Sequence, residues 1–256
     1  MRLLIVGDTP RDRCLKDLAL EKGHSLPTQG PWNFVICSLP RSTVPEEFAD
    51  LLPENQKVVC GLTEPGFDSL AKSRNWQLYR ILEDTQFTQI NAELTAEGAV
   101  FKAMENLDKA LRDTACLVIG YGRIGKALTQ KLRALGAQVT VAARRLESRV
   151  EAGESSIPIE EIQSVLPKTD LILNTVPSQL LLENGLLLCK HTAFLLELAS
   201  KPYGIDMEAA KRLGLRCSLE SGLPGRYCPQ SAASATLDYV ERMADRERNL
   251  VTGGAR

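Results

Sequence analysis

Residues 117–145 read LVIGYGRIGKALTQKLRALGAQVTVAARR, and no other stretch of the chain restricts its fold so tightly. A short apolar run stops at Gly120. Gly120, Gly122 and Gly125 then stand as G-x-G-x-x-G directly before a helical pattern, and a second apolar run follows from Gln138 to Ala143. In such a strand-turn-helix unit one glycine permits a tight turn, one lets the backbone approach a pyrophosphate, and one lets helix and strand pack closely. Amides freed at the helix start face the phosphates, where the positive end of the helix dipole favours an anion. The stretch predicts a Rossmann-type unit that holds a dinucleotide on Gly120, Tyr121, Gly122, Arg123, Ile124 and Gly125. The competing reading is an empty Rossmann domain kept as scaffold.

The other end of the stretch bears on which dinucleotide. An NAD site usually ends its second strand in Asp or Glu, which accepts hydrogen bonds from the ribose hydroxyls. Here that position is Ala142 or Ala143, and Arg144 and Arg145 follow. A guanidinium fork matches the oxygens of a 2′-phosphate, so NADP(H) is expected over NAD(H), with Ala143, Arg144 and Arg145 at the adenosine end. NAD stays open, since two arginines also suit an ordinary solvated loop.

With 256 residues, 44% of them hydrophobic, the chain has material for two modest cores. Short apolar runs recur, most followed by a helical pattern, which is how a parallel α/β sheet appears in sequence. In the first third they are Arg2–Gly7, Phe34–Leu39, Lys57–Leu62 and Gln77–Leu82, with helical candidates at Arg11–Lys22, Pro45–Leu52 and Phe67–Ser73. Apolar residues at helical spacing predict a linker helix over Thr95–Leu111. A second series follows: Cys116–Gly120, Gln138–Ala143, a weak run near Ile157, Leu171–Val176, Phe194–Ala199 and Leu215–Leu219. The expected architecture is α/β: a doubly wound parallel-sheet Rossmann domain that binds NADP, plus a smaller N-terminal α/β domain. The boundaries read as residues 1–90 for the N-terminal domain, 91–114 for the linker helix, 115–230 for the dinucleotide-binding domain, and 231–256 for a closing helix and tail.

Several functions are disfavoured. The formal net charge of −1 argues against nucleic acid and anionic membrane surfaces. No apolar run approaches bilayer length and the apolar start is too short for a signal peptide, so a cytoplasmic protein is expected. The seven cysteines show no CxxC and no nearby His, which reads as reduced core thiols without a metal site. The two histidines, His24 and His191, sit at element ends and read as surface residues, against a His-dependent hydroxy-acid dehydrogenase or hydrolase.

Ligands of open α/β sheets bind at the carboxyl ends of the strands. Three such ends carry polar loops: Asn174-Thr175-Val176-Pro177-Ser178, Ala199-Ser200-Lys201-Pro202, and Ser221-Gly222-Leu223-Pro224-Gly225-Arg226. Asn174, Thr175, Val176 and Pro177 are expected beside the nicotinamide. Ser200, Lys201, Gly222, Pro224, Gly225 and Arg226 are candidates for binding a substrate carboxylate through amides, hydroxyls and cations. Ordinary strand-end turns are the alternative. Glu93 and Glu97 share one helix face, and Glu97 joins Lys201 and Thr175 as a catalytic candidate; acids complementing the helix dipole are the equal alternative.

These segments carry a family resemblance. NAELTAEG (91–98), the glycine motif, NTVPS, LELASKPYGID and SGLPGRYCP stand in the order found in the A-subunit family of dipicolinate synthases from spore-forming bacteria. The resemblance spans about Asn91 to Ala233; the N-terminal domain resembles the family only in predicted fold. It implies NAD(P)-dependent oxidation of dihydrodipicolinate, or its hydrated tetrahydro form, to pyridine-2,6-dicarboxylate. The precursor comes from lysine biosynthesis, and the place would be the cytoplasm of the mother cell during sporulation. It also implies a partner, the flavoprotein-like B-subunit of dipicolinate synthase, and a dicarboxylate substrate, with no nucleic acid and no membrane; self-association is left open. Lys201 and Arg226 would then bind the two carboxylates. The chain departs from the pattern in Lys201, where the family often has Arg, in Gln230, where it often has Lys, and in Arg226 and Tyr227, which replace apolar residues. The rival readings are another two-domain NADP-dependent oxidoreductase acting on a small acid, and a cofactor-binding scaffold protein without chemistry of its own.

Overall fold

The computed structural model describes residues 1–43 and 49–253. They form two compact units, Met1–Asn91 with Pro224–Arg256, and Ala92–Leu223.

The first unit holds four parallel strands, β1 (Leu3–Val6), β2 (Phe34–Cys37), β3 (Lys57–Cys60) and β4 (Gln77–Arg80), side by side in that order. Side chains alternate across a strand. Leu3, Ile5, Phe34, Ile36 and Val59 therefore enter one core with Leu15 and Ala19 of α1 (Pro10–Glu21). Val6, Val35, Cys37, Val58 and Cys60 enter a second core with Phe67 and Ala71 of α2 (Pro65–Ser73). Burial on both faces explains why these strands read as unbroken apolar runs. Thr9 and Asp12 form a reciprocal capping box on α1, and Pro10 occupies its first turn. The helical candidate Pro45–Leu52 lies largely outside the described residues.

The C-terminal helix, Pro229–Gly253, belongs to this first unit, with Ala233, Leu237 and Val240 in the β1-side core. Pro224–Gln230, expected in the dinucleotide-binding domain, group here as well. His24 is no surface residue: its side chain is 12% exposed and bridges the Met1 amine (3.1 Å) and Glu241 of the C-terminal helix (2.8 Å).

Helix α3 (Thr85–Asn106) starts ten residues earlier than its apolar spacing predicts, and Leu111 falls in a separate 3-10 turn, Leu111–Asp113. Asp84 sets the early start by accepting the Phe87 amide at 2.7 Å. From Ala92 onward the residues group with the second unit.

That unit is a sheet of six parallel strands in the order β10-β9-β8-β5-β6-β7. They are β5 (Ala115–Ile119), β6 (Gln138–Ala143), β7 (Ser156–Pro158), β8 (Leu171–Asn174), β9 (Phe194–Glu197) and β10 (Arg216–Leu219). Helices α4 (Arg123–Ala134), α5 (Leu146–Ala152), α6 (Glu183–Leu186) and α7 (Met207–Arg212) connect them. The expected doubly wound Rossmann sheet is present. The chain runs outward through β6 and β7, then returns to the other side of β5 as β8, so the strand order reverses between β5 and β8 and opens a crevice at their carboxyl ends.

Cys37, Cys60, Cys116 and Cys189 are buried, and burial pushes the Cys37 and Cys116 thiols up to about 12 and those of Cys60 and Cys189 to about 11. They are inert core residues. Among the described residues no helix is long and apolar enough to cross a membrane.

Candidate active site

The β5-α4 turn is built around the three glycines. Gly120 has φ +97°, and a Cβ there would overlap the Thr175 hydroxyl and stand 2.7 Å from Val176 Cγ2. A Cβ on Gly125 would overlap the carbonyl oxygen of Gly120, so the first turn of α4 presses directly on the loop. A Cβ on Gly122, the N-cap of α4, would meet nothing within 4 Å. One glycine thus serves the turn, one the packing, and one leaves the backbone open to an incoming group. Among the described residues no side chain caps α4, so its first amides remain available to an anion. Exposed Arg123 and half-buried Tyr121 and Ile124 complete the turn. This geometry fits a dinucleotide pyrophosphate.

A cavity of about 340 Å³ lies between this turn and the end of β6, with Gly120, Tyr121 and Gly122 on one wall and Ala143, Arg144, Arg145 and Ser148 on the other. Ala142 and Ala143 are buried and supply no acid. Arg149 donates to the carbonyls of Ala143 (3.0 Å) and Arg144 (2.8 Å), pinning the loop. Arg144 and Arg145 are exposed and make no ion pair among the described residues. Neighbouring Lys126 is engaged with Glu151 at 2.6 Å and lies over the Tyr121 ring. Ser148 and Arg149 were not singled out in the sequence, because their place on α5 beside the loop depends on where that helix starts.

At the ends of β8 and β9 the structure changes two expectations. Asn174 is wholly buried, and its amide faces the protein interior. Nδ2 donates to both Glu197 carboxylate oxygens (2.7 and 2.9 Å) and to the Val176 carbonyl (3.0 Å), while Oδ1 accepts the Val176 amide at 3.2 Å. Asn174 therefore shapes the strand end and offers nothing to a nicotinamide. Thr175 donates its hydroxyl proton to the Ile119 carbonyl at 2.9 Å, which ties β8 to β5 and leaves it no free proton for catalysis. Val176 and Pro177 continue the turn, and Val176 borders the cavity.

Glu197 is the residue that sequence reasoning missed. It is wholly buried, and besides Asn174 it accepts the backbone amides of Ala199, Gly204 and Ile205, each at 2.8 Å. Its signal was a single acid inside the apolar run LLELA, where a buried carboxylate requires partners. The network folds residues 199–205 back over the strand end. Exposed Ser200 and Lys201 stand on the resulting turn, and Lys201 makes no hydrogen bond or ion pair among the described residues.

Glu93 and Glu97 both reach Lys131 of α4 at 3.2 Å, so Glu97 has a structural ion pair. The third loop is divided: Gly222, with φ +65°, belongs to the second unit, and Pro224, Gly225 and Arg226 to the first. The Arg226 guanidinium lies 5.5 Å from the centre of the Tyr227 ring. The nucleotide residues and the Ser200–Lys201 turn are thus brought to one edge of the six-stranded sheet, whereas Arg226 is placed in the other unit.

Residues 81–200 match the family described as D-isomer specific 2-hydroxyacid dehydrogenase, NAD binding domain. The dipicolinate synthase A-subunit of Bacillus subtilis (strain 168) is 26% identical over 201 residues, 77% of this chain and 68% of that protein. The dipicolinate synthase A-subunit structure from Bacillus halodurans superposes with a TM-score of 0.83 at 22% identity, covering 94% of this chain and 96% of the other. The corresponding Bacillus subtilis structure gives 0.82 at 20% identity, covering 96% of both chains. At these identities the superpositions establish the fold. The chain resembles the dipicolinate synthase A-subunit and carries the nucleotide-binding domain of an NAD(P)-dependent oxidoreductase.

Proposed function

We propose that this chain is the nicotinamide-dependent component of a dipicolinate synthase, oxidising dihydrodipicolinate, or its hydrated tetrahydro precursor after loss of water, to pyridine-2,6-dicarboxylate, with NADP preferred. The observation that carries the cofactor choice is the wall of the nucleotide cavity. Where an NAD site places an acid, buried alanine stands instead, and the guanidinium groups of Arg144 and Arg145, unpaired among the described residues, lie beside Ser148. The glycine turn with Arg144 and Arg145 would hold the dinucleotide, whose oxidised nicotinamide would supply the hydride acceptor, while the dihydropyridine would lose hydride and a proton as its ring becomes aromatic. The driving force is the gain of aromaticity, which suits a chain whose half-buried His24 is committed to Glu241. Lys201 and Ser200, displayed by the Glu197 network, would take a substrate carboxylate. The resemblance supports this reading, and with it a flavoprotein-like B-subunit, a precursor drawn from lysine biosynthesis, and a place in the sporulating mother cell.

The test is an assay of the purified chain, alone and with the B-subunit, on freshly prepared precursor with NADP or NAD, following nicotinamide absorbance at 340 nm. Pyridine-2,6-dicarboxylate should form in step with NADPH, and the Michaelis constant for NADP should be the lower. No turnover in either setting would remove the substrate reading, and a preference for NAD would remove the role of the arginine pair.

A further inference from the structure

Arg11, the second residue of α1, is 4% exposed, and its Nε has no hydrogen-bond partner. Arg242 also leaves Nε unsatisfied, but its terminal nitrogens grip Asp84 at 2.9 and 3.1 Å. Arg11 makes no hydrogen bond or ion pair among the described residues. Loss of hydration lowers its pKa to about 10, only partly offset by the charge of Asp12. Burying a guanidinium Nε–H without a partner is costly, and an orphaned buried donor in a native fold calls for an explanation.

The surroundings supply no internal answer. Asp12 is committed: its Oδ2 accepts the Thr9 amide (3.0 Å), the Thr9 hydroxyl (2.7 Å) and the Ser38 hydroxyl (2.7 Å). The other cations of this turn are engaged, Arg13 with Asp8 at 3.1 Å and Lys16 with the Gly7 carbonyl at 2.8 Å. Gly225 of SGLPGRYCP packs against the side chain, so that a Cβ there would stand 3.5 Å from Arg11 Cβ and Nε. The end of α1 is itself largely used, with the Asp12 amide on the Thr9 hydroxyl and the Arg13 amide on the Thr9 carbonyl. A ligand would therefore be held by the guanidinium and not by the helix terminus.

We propose that Arg11, against the Gly225 backbone, is a carboxylate-binding site within the first unit. A single carboxylate matches the guanidinium fork in charge and geometry. Phosphate, a dianion, would meet one unpaired cation beside the fixed charge of Asp12 and is disfavoured. The inference does not depend on the cofactor preference, and it rests on the reading above only for the dicarboxylate chosen as probe.

The experiment titrates the full-length protein with pyridine-2,6-dicarboxylate by calorimetry, with inorganic phosphate and potassium chloride at matched ionic strength as controls. Wild type should bind the dicarboxylate, Arg11→Met should bind it at least about tenfold more weakly, and Arg11→Lys should fall between them. The affinity for NADP should stay the same in all three. Equal dicarboxylate affinity in wild type and Arg11→Met, parallel loss of NADP binding, no binding by wild type, or phosphate binding as tight as the dicarboxylate would each overturn the assignment. Should Arg11→Met fail to fold, the arginine Nε–H nuclear magnetic resonance signal of Arg11 in wild type, assigned with Arg11→Lys, decides the matter. A shift with dicarboxylate but not with chloride supports the site, and an unmoved signal refutes it.

Discussion

Asn174 and Glu197 are direct neighbours across β8 and β9, and one amide group of Asn174 spans both carboxylate oxygens of Glu197 at 2.7 and 2.9 Å. Every hydrogen-bond partner of that carboxylate among the described residues is a donor, and three of the donors are backbone amides of residues 199–205. Replacing Glu197 with Gln turns one acceptor into a donor facing donors. The Glu197→Gln protein should lose about 1–3 kcal/mol in urea unfolding, the cost of leaving buried polar groups unmatched. Because the same amides shape the Ser200–Lys201 turn, its Michaelis constant for substrate should rise more than its kcat falls, with NADP affinity little changed. Unfolding at wild-type urea concentration would refute the network's structural weight.

Two glycines of one motif should respond differently to the same substitution. Gly125→Ala forces a methyl group onto the Gly120 carbonyl, so it should lower both thermal stability and nucleotide affinity. Gly122→Ala meets open space at an extended backbone position and should leave the melting temperature within a degree or two, while reducing NADP affinity on the order of tenfold by blocking the approach of the pyrophosphate. Thermal melts with and without NADP separate the two. Loss of stability in Gly122→Ala would show that the open face is not where the nucleotide lies.

The contrast with Asn174 explains what could be read in advance. The glycine motif is local: turn, helix start and strand lie within one short segment, and sequence spacing carries the geometry. The unbroken apolar runs likewise mark which segments are strands, since a strand buried on both faces carries no polar alternation. Asn174 and Glu197 meet only through the register of two strands that are 23 positions apart, and His24 meets Glu241 at a separation of 217. Of these, only Asn174 and Glu197 leave a trace, as lone polar residues in apolar runs. The C-terminal helix was legible as a helix, but its amphipathic face does not say which of two sheets it covers.

Arg144 and Arg145 make no ion pair among the described residues and stand beside the nucleotide cavity, and removing both should change cofactor choice without touching the fold. The Arg144→Ala/Arg145→Ala double variant should bind NADP about 10–100-fold more weakly, the worth of one or two charge-assisted hydrogen bonds, and bind NAD unchanged. Arg149→Ala, which frees the carbonyls of Ala143 and Arg144, should instead weaken both cofactors by loosening the loop. Fluorescence titration with the reduced nucleotides measures all four affinities; equal losses for NADP and NAD in the double variant would contradict the proposed discrimination.

At the opposite edge of the sheet, Asp170 takes Lys109 at 2.7 Å, Lys190 at 2.8 Å and the Ala115 amide at 2.9 Å. Burial works against its ionisation, yet the two ammonium groups and the amide outweigh it and hold the carboxyl down at about 2. An unfolded aspartate titrates near about 3.9, so the folded value is the lower one. The pair therefore stabilises the fold fully above that unfolded value, and the contribution disappears as pH falls from about 4 through about 2. Asp170→Asn should destabilise the protein by about 2 kcal/mol at neutral pH. The gap between the wild-type and variant unfolding midpoints should stay constant from pH 7 to 5 and close as pH approaches 2. A gap that persists at pH 2 would mean that packing of the side chain, and not its charge, joins β8 to the lysines.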